Sequence, residues 1–243
     1  MQNSVTIPAP TRRWVRRGEA DPAAVASLAR ALRLPEPLCR LLAARGYGDE
    51  ADAREFLRPR LDQLHDPFAL ADVDRAVERI ERAIRDGETI LVHGDYDVDG
   101  ITTTALYTRV LRGLGARIEP FVPHRVSDGY DLGEAGIAEA RRVGASLILT
   151  GDCGIVAHEA IGAAVDAGID VIVTDHHTPG PTLPPAVAVV NPNRSDSGYP
   201  FPSLAGAGVA FKLCQALYQA RGLDPEPLWY HLDLVALATI ADL

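Results

Sequence analysis

The spacing of apolar and polar positions changes several times along this 243-residue chain. Residues 22–58 carry apolar side chains at helical spacing, interrupted at Pro35, Pro37 and the Gly46–Gly48 turn, and predict two or three short helices. RPRLDQLHDPFAL reads as a connector, and ADVDRAVERIERAIRDG as an amphipathic helix stopped by Gly87. Beyond it the pattern alternates. ETILVHG, RIEPFVP, SLILTGD, DVIVTDHH and AVAVVNP are short apolar runs, separated at first by helical spacing in ITTTALYTRVLRGLG, LGEAGIAEARRVG and AHEAIGAAVDAG. A Pro- and Gly-rich loop at 192–208 follows, and GVAFKLCQALYQARG and PEPLWYHLDLVALATIADL close the chain as helices. Strands that are continuously apolar and linked by helices predict an α/β fold: a mainly parallel β-sheet flanked by helices, preceded by a small helical N-terminal segment. The expected division is 1–60 for an arm and short helices, and 61–243 for the α/β domain.

Composition narrows the class without naming a function. Hydrophobic residues make up 47% and charged residues 23%, as in a globular protein, and no apolar run approaches the roughly 20 residues of a membrane span. The N-terminal arm has Arg12, Arg13, Arg16 and Arg17 but no apolar segment behind them, so it is not a secretory signal. Three widely spaced cysteines without a C-x-x-C pair argue against a disulfide framework or zinc knuckle and point to a reducing, cytoplasmic setting. Net charge is −9, but residues 1–60 hold eleven arginines against seven carboxylates, which leaves −13 on the remainder. That excess is either an ordinary acidic surface or a carboxylate cluster whose charge bound ions offset. The chain stops at Leu243 inside an apolar helical run with no cap, and is expected to be a fragment of something longer.

The polar residues gather at strand ends, where open parallel sheets bind ligands. The first strand ends in His93, Asp95, Asp97 and Asp99; the third in Asp152, beside Cys153; the fourth in Asp175, His176 and His177. One carboxylate at a strand end is often just a helix cap. Three such clusters on one edge repel unless cations lie between them. Mixed oxygen and nitrogen donors suit Mn²⁺ or Mg²⁺ better than Zn²⁺, and more than four candidate ligands suggest two ions. D-x-D-x-D-G at residues 95–100 also opens a calcium loop, but the closing glutamate would fall on Leu106 and a strand precedes it, so that reading fails.

Taken together, HGDYDVDG, TGDCGI, VTDHH and YPFPSLAGAGVAFKL resemble the DHH phosphoesterase superfamily, and more narrowly its RecJ-like branch of single-strand-specific 5′→3′ DNA exonucleases. The resemblance runs from about Phe56 to the end. It implies His93, Asp97, Asp99, Asp152, His176 and Asp242 as ligands of two Mn²⁺ or Mg²⁺ ions, with Asp152 bridging. It implies that His177 contacts the scissile phosphate, that Asp175 orients the imidazoles, and that Asp95 stands behind the ligands. It further implies a nuclease of DNA repair and recombination that releases 5′-mononucleotides. Single-stranded DNA is then the substrate, a single-strand-binding protein or helicase the expected partner, and a monomer the expected state. Members of that branch add a DHH-associated domain and an OB-type domain, which are expected to be absent from this stretch of chain, so weak, non-processive cutting is expected of it.

The remaining candidates carry two readings each. Gly206 and Gly208 precede a helix, where backbone N–H groups either cradle a phosphate or merely pack closely; the resemblance favours phosphate. Arg125, Tyr130 and Arg194 are either phosphate contacts or solvated surface. Cys153 is read as a buried filler rather than a nucleophile, and His65 and His231 as structural. Two alternatives stand beside the exonuclease: a DHH phosphoesterase of small substrates such as pyrophosphate, cyclic dinucleotides or short oligonucleotides, and a non-catalytic scaffold. The intact ligand positions argue against the scaffold.

Overall fold

A computed structural model describes residues 19–242, so the Arg12–Arg17 cluster lies outside the described residues. The chain divides into two compact units, one up to Leu64 and one from His65, a boundary slightly beyond the expected 60/61.

The first unit is a three-helix cluster of α1 (Pro22–Leu32), α2 (Glu36–Ala44) and α3 (Glu50–Leu57). Asp21 caps α1 by accepting from the Ala23 N–H, and Asp49 caps α3 through the Ala51 N–H. The helices share a small core of Val25, Leu28, Cys39, Leu42 and Ala53.

The second unit is a doubly wound sheet. It comprises α4 (Val73–Asp86), β1 (Thr89–Gly94), α5 (Val98–Gly113), β2 (Arg117–Phe121), α6 (Glu134–Val143), β3 (Ala145–Gly151), α7 (His158–Asp166), β4 (Asp170–Thr174), β5 (Ala188–Val190), α8 (Gly206–Ala220), α9 (Glu226–Trp229) and α10 (Leu232–Ala241). Gly87 ends α4 in a left-handed conformation (φ 69°), as its position after an amphipathic run predicts. The closing apolar stretch, read as one helix, splits into α9 and α10 around Tyr230 and His231. All strand pairs are parallel, in the order β2-β1-β3-β4-β5. Pro120, which cannot donate to a ladder, sits on the edge strand β2.

Side chains alternate across the sheet, so each face has its own core. Leu91, Ile148, Val171, Val173 and Val189 turn toward α6 and α7, meeting Ile137, Ala140, Ile161 and Ala164. Their alternating neighbours Ile90, Val92, Leu147, Leu149 and Ile172, equally buried, turn to the layer of α5 and α8. Both faces are dry, which is why the strands read as unbroken apolar runs.

Candidate metal centre

In the order 2-1-3-4-5 the chain leaves β1 toward one side of the sheet and β3 toward the other. The loops after these neighbouring strands diverge and leave a crevice. Asp95, Asp97 and Asp99 follow β1 and Asp152 follows β3, on the two sides of that crevice. Asp152 has a left-handed backbone (φ 67°), an unusual state for a residue with a side chain. Its N–H donates to Thr174 O at 3.0 Å, and the Thr150 hydroxyl donates to Cys153 O at 2.7 Å, holding the bend from both sides.

β4 ends because Asp175 knots the chain. Its carboxylate accepts from the N–H groups of Ile155 (3.0 Å), His176 (2.7 Å) and His177 (3.1 Å), and lies 2.7 Å from His177 Nδ1. Asp175 therefore sits behind the two histidines, fixing one by its ring and the other by its backbone.

Three overlapping sets of donors result: Asp99, His176 and Asp242; Asp152, His176 and His177; and Asp95, Asp97 and Asp152. His176 Nε2 lies 3.1 Å from Asp152 Oδ1, 3.5 Å from Asp242 Oδ2 and 3.6 Å from Asp99 Oδ2. Asp152 and His176 thus each belong to two sets, Asp152 joining the β1 carboxylates to the histidines. Asp152 Oδ1 and His176 Nε2 are buried and close, yet neither finds hydrogen-bonding geometry. Two unpaired donor atoms facing each other among carboxylates fit a divalent ion, and hard oxygens with imidazole nitrogen fit Mn²⁺ or Mg²⁺.

The charges carry the same signature. Burial pushes the Asp152 carboxyl up to about 7, the Asp99 charge adding to the shift while His176 opposes it. Burial also raises Asp99, although its carboxylate accepts from the N–H groups of Ala207 (2.7 Å) and Gly206 (2.6 Å) at the start of α8. Asp95 rises for the same reason. The hydrogen bond to Asp175 lifts His177 to about 9, so its ring is cationic at neutral pH.

Several sequence expectations change here. His93 is not among the grouped donors. Two positions after Leu91 on β1, it faces the α6 layer, with its ring 5.4 Å from Phe121 and its Nδ1 3.6 Å from Cys153 Sγ. A methyl group on Gly136 of α6 would fall 2.5 Å from the imidazole Cδ2, so the ring fills a slot that only glycine leaves open. Burial lowers its pKa to about 4, so the ring is neutral. Asp95, expected behind the ligands, instead joins Asp97 and Asp152.

Gly206 and Gly208 do not offer a free phosphate cradle. The Gly206 N–H is engaged by Asp99, a Cβ there would lie 2.6 Å from Asp152 Cβ, and Gly208 packs on Leu204. Arg194 is buried and is spent on Asp72, Asp196 and Val189 O. Tyr130 is brought to the site, its hydroxyl 3.4 Å from His177 Nε2, and Arg125 lies exposed, 5.1 Å over the Tyr96 ring. Sequence reasoning missed Asp131, whose carboxyl is raised by burial and by Asp175. It lies in an exposed-looking polar turn and gave no motif to find it by.

With this geometry in place, residues 89–239 match the family described as "DHH family, N-terminal domain". The chain belongs to the DHH family. Among curated relatives, the DHH chain is 40% identical over 232 residues to the single-stranded-DNA-specific exonuclease RecJ of Bacillus subtilis, covering 95% of itself and 28% of that protein. It is 44% identical over 242 residues to the RecJ of Salmonella typhimurium, again covering 95% of itself and 40% of the relative. The chain therefore spans well under half the length of these relatives. Among solved structures, RecJ of Thermus thermophilus in complex with Mn²⁺ superposes with a TM-score of 0.74 at 37% identity, over 92% of this DHH chain and 31% of the other. A second RecJ structure, bound to manganese, gives 0.65 at 43% identity over 72% and 44%.

Proposed function

We propose that this chain is the metal-dependent phosphodiesterase portion of a single-strand-specific 5′→3′ DNA exonuclease that releases 5′-mononucleotides in repair and recombination. The observation that carries the reading is the pair of unpaired buried donors, Asp152 Oδ1 and His176 Nε2, shared between overlapping ligand sets. The RecJ relatives supply the substrate class.

Asp95, Asp97, Asp99, Asp152, His176 and Asp242 would hold two Mn²⁺ or Mg²⁺ ions. When bound, such ions supply an activated water and neutralise charge on the phosphate. The remaining roles belong to the protein. The start of α8 aims Asp99 by donating two N–H groups to it, which favour its ionised form against the burial that raises its pKa. Asp175 keeps His177 protonated and points Nε2 outward, where it donates to a non-bridging phosphate oxygen as negative charge grows there. Tyr130 packs beside Tyr96, whose ring the exposed Arg125 guanidinium covers, so Arg125 is a candidate contact for a further phosphate. A cytoplasmic location, a monomeric state and a single-strand-binding protein or helicase as partner belong to this reading. In support of the first, all three cysteines are unpaired and buried, and no helix among the described residues is long and apolar enough to cross a membrane.

The deciding assay uses 5′-labelled single-stranded DNA with Mn²⁺, with Mg²⁺, and with EDTA. Mononucleotides should appear with either ion and vanish with EDTA, and duplex DNA should be spared. Hydrolysis of pyrophosphate or a cyclic dinucleotide but not DNA would transfer the chain to the small-substrate phosphoesterases. Cutting that ignores EDTA would remove the metal centre from the account.

A further inference from the structure

Just past β5, the residues Asn191–Arg194 form a turn closed by the Arg194 N–H donating to Asn191 O at 3.4 Å. Asn191 is fully buried. Its Nδ2 donates to His177 O at 2.9 Å, and its Oδ1 accepts from the Asn193 N–H at 2.7 Å. Asn193, on the exposed side of the turn, donates through Nδ2 to His176 O at 2.5 Å. Arg194 roots the turn: its Nη1 donates to Val189 O at 2.5 Å and to Asp72 Oδ2 at 2.7 Å. Two side-chain amides thus grip the carbonyl oxygens of two successive histidines from a turn that is itself anchored.

The two imidazoles differ in what aims them. Asp175 holds His177 by its ring nitrogen, whereas His176 Nδ1 has no hydrogen-bond partner among the described residues. The His176 ring is therefore directed by its backbone, whose N–H is fixed by Asp175 and whose carbonyl is fixed by Asn193. Rotation of that peptide would swing Nε2 away from Asp99, Asp152 and Asp242 together.

We infer that Asn191 and Asn193 are positioning residues of the metal centre: their amides lock the His176 and His177 carbonyls and so aim His176 Nε2 at its shared carboxylates. The inference rests on the metal-centre reading above. Partners one step behind metal ligands typically change affinity 10–100-fold when removed, because ligand orientation is otherwise lost to rotation. Asn193 suits a test because it is exposed, and its loss opens no cavity.

The test is calorimetric titration of Mn²⁺ into metal-free protein, with the thermal midpoint of the same metal-free samples recorded alongside. Asn193→Ala should bind Mn²⁺ about tenfold more weakly while melting as the wild type does. Ser195→Ala, at the exposed position just past the turn and without a side-chain hydrogen bond among the described residues, should bind as the wild type does. Wild-type affinity in Asn193→Ala, or an equal loss in Ser195→Ala, would overturn the positioning role. A wild-type protein that takes up no Mn²⁺ would overturn the metal-centre reading itself, and this inference with it.

Discussion

The two ends of one sheet treat acid in opposite ways. At the amino ends of β1, β3 and β4, Glu88 accepts from Arg79 and from the Ser146 hydroxyl, each at 2.6 Å, and Asp170 accepts from Arg79 (2.6 Å) and Arg82 (3.0 Å). At the carboxyl ends, Asp95, Asp97, Asp99, Asp152 and Asp242 have no arginine or lysine within ion-pair distance among the described residues, and Asp99, Asp152 and Asp242 face only the His176 imidazole. Burial raises the carboxyl pKa at both ends. At Glu88 the Ser146 hydroxyl and Arg79 outweigh it and the pKa falls, whereas at Asp152 burial wins and the pKa climbs to about 7. The difference separates structure from chemistry. Acid that the protein pairs with its own arginines ties elements together, and acid that it gathers without arginine or lysine is a place for cations.

The largest expected effect breaks the comparison at the carboxyl end. Asp152→Asn keeps the shape of the side chain and resembles the protonated acid that the metal-free site already populates near neutral pH. The metal-free variant should therefore melt at or above the wild-type temperature. Mn²⁺ affinity should fall more than a hundredfold, and release of mononucleotides should drop by about three orders of magnitude or more. A stable variant that still binds Mn²⁺ at wild-type strength would place the ions elsewhere.

The amino end should respond in the opposite currency. Arg79 is 4% exposed and bridges Glu88 and Asp170, so Arg79→Met leaves two carboxylates facing each other. Breaking a fully buried pair costs about 3–5 kcal/mol; water still reaches Glu88 and Asp170, so about 2–3 kcal/mol is expected, read from the urea midpoint. Mn²⁺ affinity should not change. A variant that unfolds normally yet loses metal would erase the distinction between the two ends.

Much of this was legible in the sequence, because parallel strands buried on both faces leave continuous apolar runs, and polar residues stand out at their ends. Asp97, Asp99, Asp152, His176 and Asp242 were found that way or through the resemblance, and the structure brings them together. The same dryness hid what failed. When both faces are apolar, a strand's alternation does not say which face is which, so nothing in TILVHG told that His93 follows Leu91 into the α6 layer. Gly206 was legible as a helix start, but not as one whose N–H was already bonded to Asp99 over a separation of 107 residues. Arg194 and the two asparagines make the same point: His176 and His177 come near through the β4–β5 pairing, and Asp72 through the packing of α4 on β5.

The smallest expected effect is the sharpest test of that correction. His93 lies in the loop-and-strand segment that supplies three carboxylates to the site, and its spacing to Asp97 and Asp99 matches the ligand pattern of the family it resembles. The folded chain nonetheless buries its ring (1% exposed) against Phe121, Gly136 and Cys153, where the imidazole is neutral. If that packing is its role, His93→Val should alter Mn²⁺ affinity by less than about threefold, since no donor to either ion is removed, whereas loss of a true ligand costs far more. A small drop in thermal midpoint is expected, because valine leaves part of the slot beside Gly136 unfilled. Calorimetric titration with Mn²⁺ compares this variant directly with Asp152→Asn. Similar losses in the two would return His93 to the metal centre and would mean that β1 turns its last side chain toward the crevice when the ions bind.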